Sequence, residues 1–287
     1  MTISHSRGHQ NNMNSYAKVF ESLYFPATVS QCAAGTIEPP LATFKAPAEW
    51  YGFPPALIPI WSDGSRPTYI GAWKHWFMDR EPTYIKMHVG AGRTTIEIAR
   101  TVEQLFALAA MMSIGEKDGV ESDLVNFAKA VGLQNLDQIN AVSLISGDDA
   151  RGLAMIDQFK NQTPLESAKA VGAYSGEFPL VSFDKLKPWW NSACSFEISQ
   201  EILAVWPANL PKPAWIDDIG KDKIGLFNEY LGAGNLKCAW LTLNSTGWTI
   251  RDARTAISAL NIRAKDSQFN LLVDAWLSIA DESAGAY

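Results

Sequence analysis

Along the first hundred residues the spacing of apolar side chains changes twice. Tyr16, Val19, Phe20, Leu23 and Tyr24 fall at i, i+3, i+4, i+7 and i+8, one face of a helix that Pro26 is expected to stop. Residues 27–52 carry Pro39-Pro40 and Pro47 and read as an extended loop over the surface. The run Phe53–Trp61 is apolar and ends in the turn Asp63-Gly64, where glycine accepts the positive φ that such turns need. Period two follows. Tyr69, Gly71, Trp73, His75 and Phe77 take one side, and Ile70, Ala72, Lys74, Trp76 and Met78 the other. Turns at Asp79-Arg80-Glu81-Pro82 and Gly90-Ala91-Gly92 divide Pro67–Met78, Thr83–Val89 and Arg93–Ile98 into three strands of an antiparallel meander. Simple hairpin closure would bring Trp73, His75, Lys86 and His88 to one face, and a slip of one residue would scatter them.

After Ile98 the period becomes 3.6. Thr101 and Gln104 form a capping-box pattern at the start of a helix to about Ile114, apolar enough all round to be buried. Leu124, Ala128 and Val131 mark a second helix stopped by Gly132, and Leu136–Ile145 a third. Asp148 and Asp149 can cap a helix over Ala150–Lys160, and Thr163-Pro164-Leu165-Glu166 is a further start signal. Gly172–Pro188 reads as loop with one short strand near Leu180–Phe183, and Ile198, Ile202, Val205 and Trp206 as a helix ended by Pro207. Ile224, Phe227 and Leu231 give another helix, whereas Leu236–Leu243 fits strand or helix equally. Thr249 with Asp252, and then Asp266, open two last helices, with Ile250, Ala253, Ile257 and Leu260, then Phe269, Leu272, Val273, Trp276 and Ala280, turned inward. The class is α+β: a small antiparallel β-meander packed by helices, followed by a mostly helical C-terminal half. Residues 1–15 read as a flexible lead, 16–148 as the sheet-containing part, and 149–287 as a helical part, separate or continuous with the first.

Composition narrows the function classes. At 287 residues and 47% hydrophobic, with only 19% charged, the chain can bury a large core. A net charge of −6 speaks against general nucleic-acid binding and suits a basic partner. Cys32, Cys194 and Cys238 are too few and scattered for a disulfide framework, so buried thiols are expected. The polar opening residues show no signal-peptide pattern, and no apolar run reaches bilayer length, so a cytoplasmic protein without a membrane contact is expected.

Candidate chemistry is sparse. Gly172-Ala-Tyr-Ser175-Gly176 lacks nucleophile-elbow spacing, and Gly90-Ala-Gly92 and Gly232-Ala-Gly234 lack the remainder of a phosphate loop. His75 and His88 could meet across a hairpin near Asp63 or Glu97, but partly buried imidazoles bonded to backbone explain them better than a metal, and no metal or cofactor is expected. The paired acids Asp148-Asp149, Asp217-Asp218 and Asp281-Glu282 suit caps and solvated faces. Asp63, Asp79 and Glu81, set among Trp61, Trp73 and Trp76, compose a recognition surface, although most of these indoles are expected to fill the sheet–helix interface.

Phe53-Pro54-Pro55, the apolar run to Trp61 and the Asp63-Gly64 turn before a meander resemble the SUKH superfamily, the Smi/Knr-type immunity proteins of bacterial polymorphic-toxin and type VI secretion systems. The resemblance covers residues 50–115. The segment Trp73–Phe77 belongs to no pattern of that family, and the helical half beyond Ala150 exceeds its usual size. What the resemblance implies is a cytoplasmic antitoxin that binds and occludes a toxin or effector enzyme, often a nuclease, with no catalytic residues of its own. The partner-binding residues on this reading are Trp61, Asp63, Trp73, Trp76, Asp79 and Glu81. The alternative is a hydrolase using His75 with Asp63 or Asp79. A carbohydrate-binding module rests on tryptophan stacking alone. Self-association stays open.

Overall fold

The computed structural model describes residues 15–47, 52–64, 68–74, 76–77, 82–89, 94–160, 213–216, 218 and 220–287. Helix α1 (residues 15–22) ends before the expected stop at Pro26: Tyr24, expected on its apolar face, is exposed with φ 59°, and the Phe25 N–H donates back to Phe20 O. The expected loop after it begins instead with a helix, α2 (Ala27–Ala33), whose N-cap is Pro26. Proline here marks the start of a helix rather than the end of one, because its fixed φ suits a helix entry. Seven residues are too few to display a period, and α2 is held by burying Val29, Cys32 and Ala33.

The sheet has four strands rather than three: β1 (Leu57–Ser62), β2 (Thr68–Trp73), β3 (Thr83–His88) and β4 (Thr94–Ala99), antiparallel and in sequence order. All six residues of β1 are buried, as are all six of β2. A strand covered on both faces has no reason to alternate, which is why β1 reads only as an apolar run. Pro59 is accommodated because β1 is an edge strand. Opposite it, Gly71 lets the strands approach closely: a Cβ there would lie 2.3 Å from the Ile58 carbonyl oxygen. The register then shifts between Pro59 and Trp61.

The β2–β3 pairing sets Thr68 opposite His88, Ile70 opposite Lys86 and Trp73 opposite Thr83. Directly opposed residues share a face, so His88 and Lys86 lie on the Thr68–Ile70 side and Trp73 on the other. The expected grouping of Trp73 with Lys86 and His88 is therefore off by one residue. His75 falls outside the described residues.

Beyond the sheet the cap signals hold. Helix α3 (Val102–Lys117) starts at a reciprocal Thr101–Gln104 capping box and is buried on most of its circumference. Helices α4 (Ser122–Val131) and α5 (Leu136–Ser146) follow, α4 ending at Gly132 in the left-handed region. Ser143 Oγ donates to Met111 O, tying α5 to α3. The predicted helix over Ala150–Lys160 is instead two 3₁₀ turns, Ala150–Met155 and Asp157–Phe159, separated by extended Ile156. The buried residues Leu153, Ile156 and Phe159 recur every three positions, the 3₁₀ repeat rather than the α repeat. Expectations for Thr163–Glu166, Gly172–Pro188 and Ile198–Trp206 lie outside the described residues.

In the C-terminal half, α6 (Lys223–Gly232), α7 (Leu236–Leu243), α8 (Ile250–Ala264) and α9 (Ser267–Ile279) are capped by the side chains of Asp222, Asn235, Thr249 and Asp266. Leu236–Leu243 is thus a helix, buried from Cys238 onward. These helices share the hydrophobic core of the sheet. Trp276 Nε1 donates to Phe53 O at 3.1 Å, and the Ala56 N–H to Asn244 Oδ1 at 2.6 Å. Among the described residues no helix is long and apolar enough to cross a membrane.

Candidate functional site

The aromatic ribbon faces inward. Trp61 is fully buried, with ring centroids 6.4 Å from Phe106 of α3 and 6.2 Å from Phe127 of α4. Trp73, the last residue of β2, is buried. Trp76 follows it and packs 5.2 Å from Phe269 of α9, while its Nε1 donates to Asp266 Oδ2 at 3.0 Å. Lys74 Nζ stands 5.0 Å from the Trp76 ring centroid. All three indoles are buried, as expected for most of them, and none is placed to anchor a partner on the folded surface, so the expectation that one of them serves as an anchor is corrected. The cause is packing: strands β1 and β2, covered on both faces, draw their large side chains into the two interfaces.

Asp63 is partly exposed and closes the β1–β2 hairpin. Its Oδ1 accepts from the Thr68 N–H at 3.0 Å, and its own N–H donates to Thr68 O at 3.1 Å. Asp79 and Glu81 lie outside the described residues. Asp63 therefore sits at the Thr68 end of β2, about 17 Å along the strand from Trp73 at ~3.3 Å per residue. Among the described residues the imidazole at that end is His88, whose Nδ1 lies 3.4 Å from Thr68 Oγ1. Burial lowers the His88 pKa, the Lys86 charge lowers it further, and the Asp63 carboxylate opposes both. A hydroxyl beside a neutral imidazole has the parts of a nucleophile–base pair, but Oδ1 of the nearby carboxylate is engaged in holding the turn. Among the described residues no three His, Cys, Asp or Glu side chains gather as a metal-binding group.

The surface feature that stands out lies elsewhere. In α5 the residues Ile139, Val142 and Ser143 face the core, so Leu144 and Ile145 are carried round to solvent, 77% and 72% exposed. The 3₁₀ turns fold back along α5: Asn135 Nδ2 donates to Gln158 Oε1 at 3.2 Å, and Gly152 sits tightly against Ser146. Met155 is exposed on that returning strand of chain. Residues 116–160 hold eight acidic and four basic residues, so this stretch carries much of the chain's net −6. Asp137, Asp148 and Asp157 are all exposed. Sequence reasoning missed this ridge, yet a signal was present: with Ile139 and Val142 inward, helical phase turns positions 144 and 145 away from them.

Comparison with family models, with curated proteins and with solved structures gives no match to this chain.

Proposed function

We propose that this chain is a binding protein that silences another protein by covering it, in the manner of a cytoplasmic immunity protein against a bacterial toxin or effector enzyme. The observation that carries the reading is the acidic, aliphatic outer surface of residues 116–160, laid over a sheet whose own indoles are internal. Exposed aliphatic side chains on a predominantly acidic surface suit recognition of a protein of the opposite sign, and a basic nuclease is such a protein. The segment that resembles the SUKH pattern is compatible with this: Phe53-Pro54-Pro55 leads into β1, and Asp63 closes the hairpin before the meander. Inhibition is then steric, with carboxylates standing where the toxin's phosphate-bearing substrate would sit.

The test is co-expression with the product of the neighbouring reading frame. Growth rescue together with a stoichiometric complex supports the proposal; a toxic product whose effect persists beside an abundant, folded chain overturns it. The competing hydrolase reading is separated by a substrate screen with Asp63→Asn and His75→Ala, since loss of a turnover activity in either variant favours catalysis.

A further inference from the structure

We infer that the C-terminal end of α5 is the contact ridge of this protein, and that its occupant is an amphipathic, lysine- or arginine-bearing segment of a partner protein. This rests on the binding reading above and adds where the contact is made and with what chemistry.

Three independent features converge there. The first is apolar. Leu144 and Ile145 are adjacent large aliphatic residues at 77% and 72% exposure, and Met155 is exposed on the segment that runs back along the same helix. A single exposed leucine is ordinary, whereas neighbouring ones on a helix end form a patch. The second is the helix dipole. Helix α5 has eleven residues, carries no basic residue in its last turn, and ends at Gly147 followed by Asp148. The negative end of the dipole is therefore uncompensated by a basic side chain within that turn and reinforced by a carboxylate. The third is the wider field. Asp137 lies at the other end of the outer face and Asp157 on the returning 3₁₀ segment, both exposed, within a stretch where acids outnumber bases two to one.

An aliphatic pair beside a negative helix end selects a ligand that has both characters. An apolar side chain covers Leu144 and Ile145 while a guanidinium or ammonium one turn away meets the α5 carbonyl end and Asp148. A purely apolar ligand leaves the carboxylates without partners, and an acidic one is repelled.

The experiment uses the full chain and two synthetic probes: an eighteen-residue amphipathic helix of leucine and lysine, and its leucine–glutamate counterpart. Affinity is measured by titration and the contact mapped by amide hydrogen exchange. The leucine–lysine probe should bind and protect the described amides of residues 136–159, and the leucine–glutamate probe should not. The double variant Leu144→Ser, Ile145→Ser should weaken binding about tenfold or more with an unchanged melting temperature, and Asp148→Asn should weaken it less. Equal binding by both probes, protection confined to other elements, or full affinity in the double variant overturns the inference. So does concentration-dependent dimerisation that the double variant abolishes, since the occupant is then a second copy. Running the double variant in the co-expression assay separates this from the parent proposal. Rescue by both proteins sinks the ridge and leaves the function standing, whereas rescue by neither sinks the function.

Discussion

Gly71 and Tyr24 show two opposite ways in which a single backbone position matters. At Gly71 a methyl group would meet the Ile58 carbonyl at 2.3 Å in the middle of a paired strand, where neither strand can withdraw without breaking its ladder. Gly71→Ala should therefore lower stability by about 2–3 kcal/mol, read as a fall in the denaturation midpoint at constant m value. Tyr24 closes α1 at φ 59° while its ring is 89% exposed, so a strained backbone is offset by no packing. Tyr24→Gly should raise stability by about 1 kcal/mol. Burial pushes the Cys32 thiol up to about 12, so this cysteine should resist alkylation at neutral pH until the chain unfolds. Labelling of native protein at Cys32, followed by peptide mapping, would contradict that.

At the scale of elements, Asp266 is the joint to disturb. Its carboxylate caps α9 by accepting from the Gln268 and Phe269 N–H groups, and it accepts from Trp76 Nε1 beyond the end of β2. Burial opposes its ionisation, but the Trp76 bond, the two backbone bonds and the Lys74 charge outweigh that and hold the carboxyl below its usual value. A depressed carboxyl stabilises the fold above its unfolded pKa, near 4, and loses that contribution as pH falls through its folded value. Asp266→Ala should cost about 2 kcal/mol at pH 7, and Asp266→Asn should flatten the acid limb of the stability curve. An acid limb identical to that of the parent protein would refute the role. The same element scale shows what could be read from the chain. Caps such as Thr101, Gly132, Thr249 and Asp266 were legible because their chemistry is local. Helix α2 was too short to show a period, β1 had no polar face to alternate, and α7 is buried on every side from Cys238 onward. The β2–β3 register depends on turn geometry that composition does not encode, so Trp73 moved to the face opposite His88. At the candidate site the burial of most of the indoles was legible in the sequence, but Leu144 and Ile145 were passed over inside a correctly predicted helix.

Across the described residues, aromatic side chains hold the interior together and no Asp or Glu carboxylate is fully buried among them. Trp61 joins the sheet to α3 and α4, and Trp76, Trp240 and Phe269 join it to the C-terminal helices. The same burial that removes the indoles as anchors fixes the framework on which α5 presents its outer end. Association driven by opposite charge should slow steeply with ionic strength while dissociation, set by the aliphatic contact, changes little. Stopped-flow mixing at several salt concentrations separates the two rates. The most direct measurement is a titration of the partner enzyme's turnover with this chain. Occlusion requires turnover to fall linearly to zero at a fixed molar ratio, and occlusion through the α5 ridge requires it to survive when the Leu144→Ser, Ile145→Ser variant is added instead. Turnover unaffected by excess wild-type chain would contradict occlusion, and turnover abolished equally well by the variant would contradict the ridge as its site.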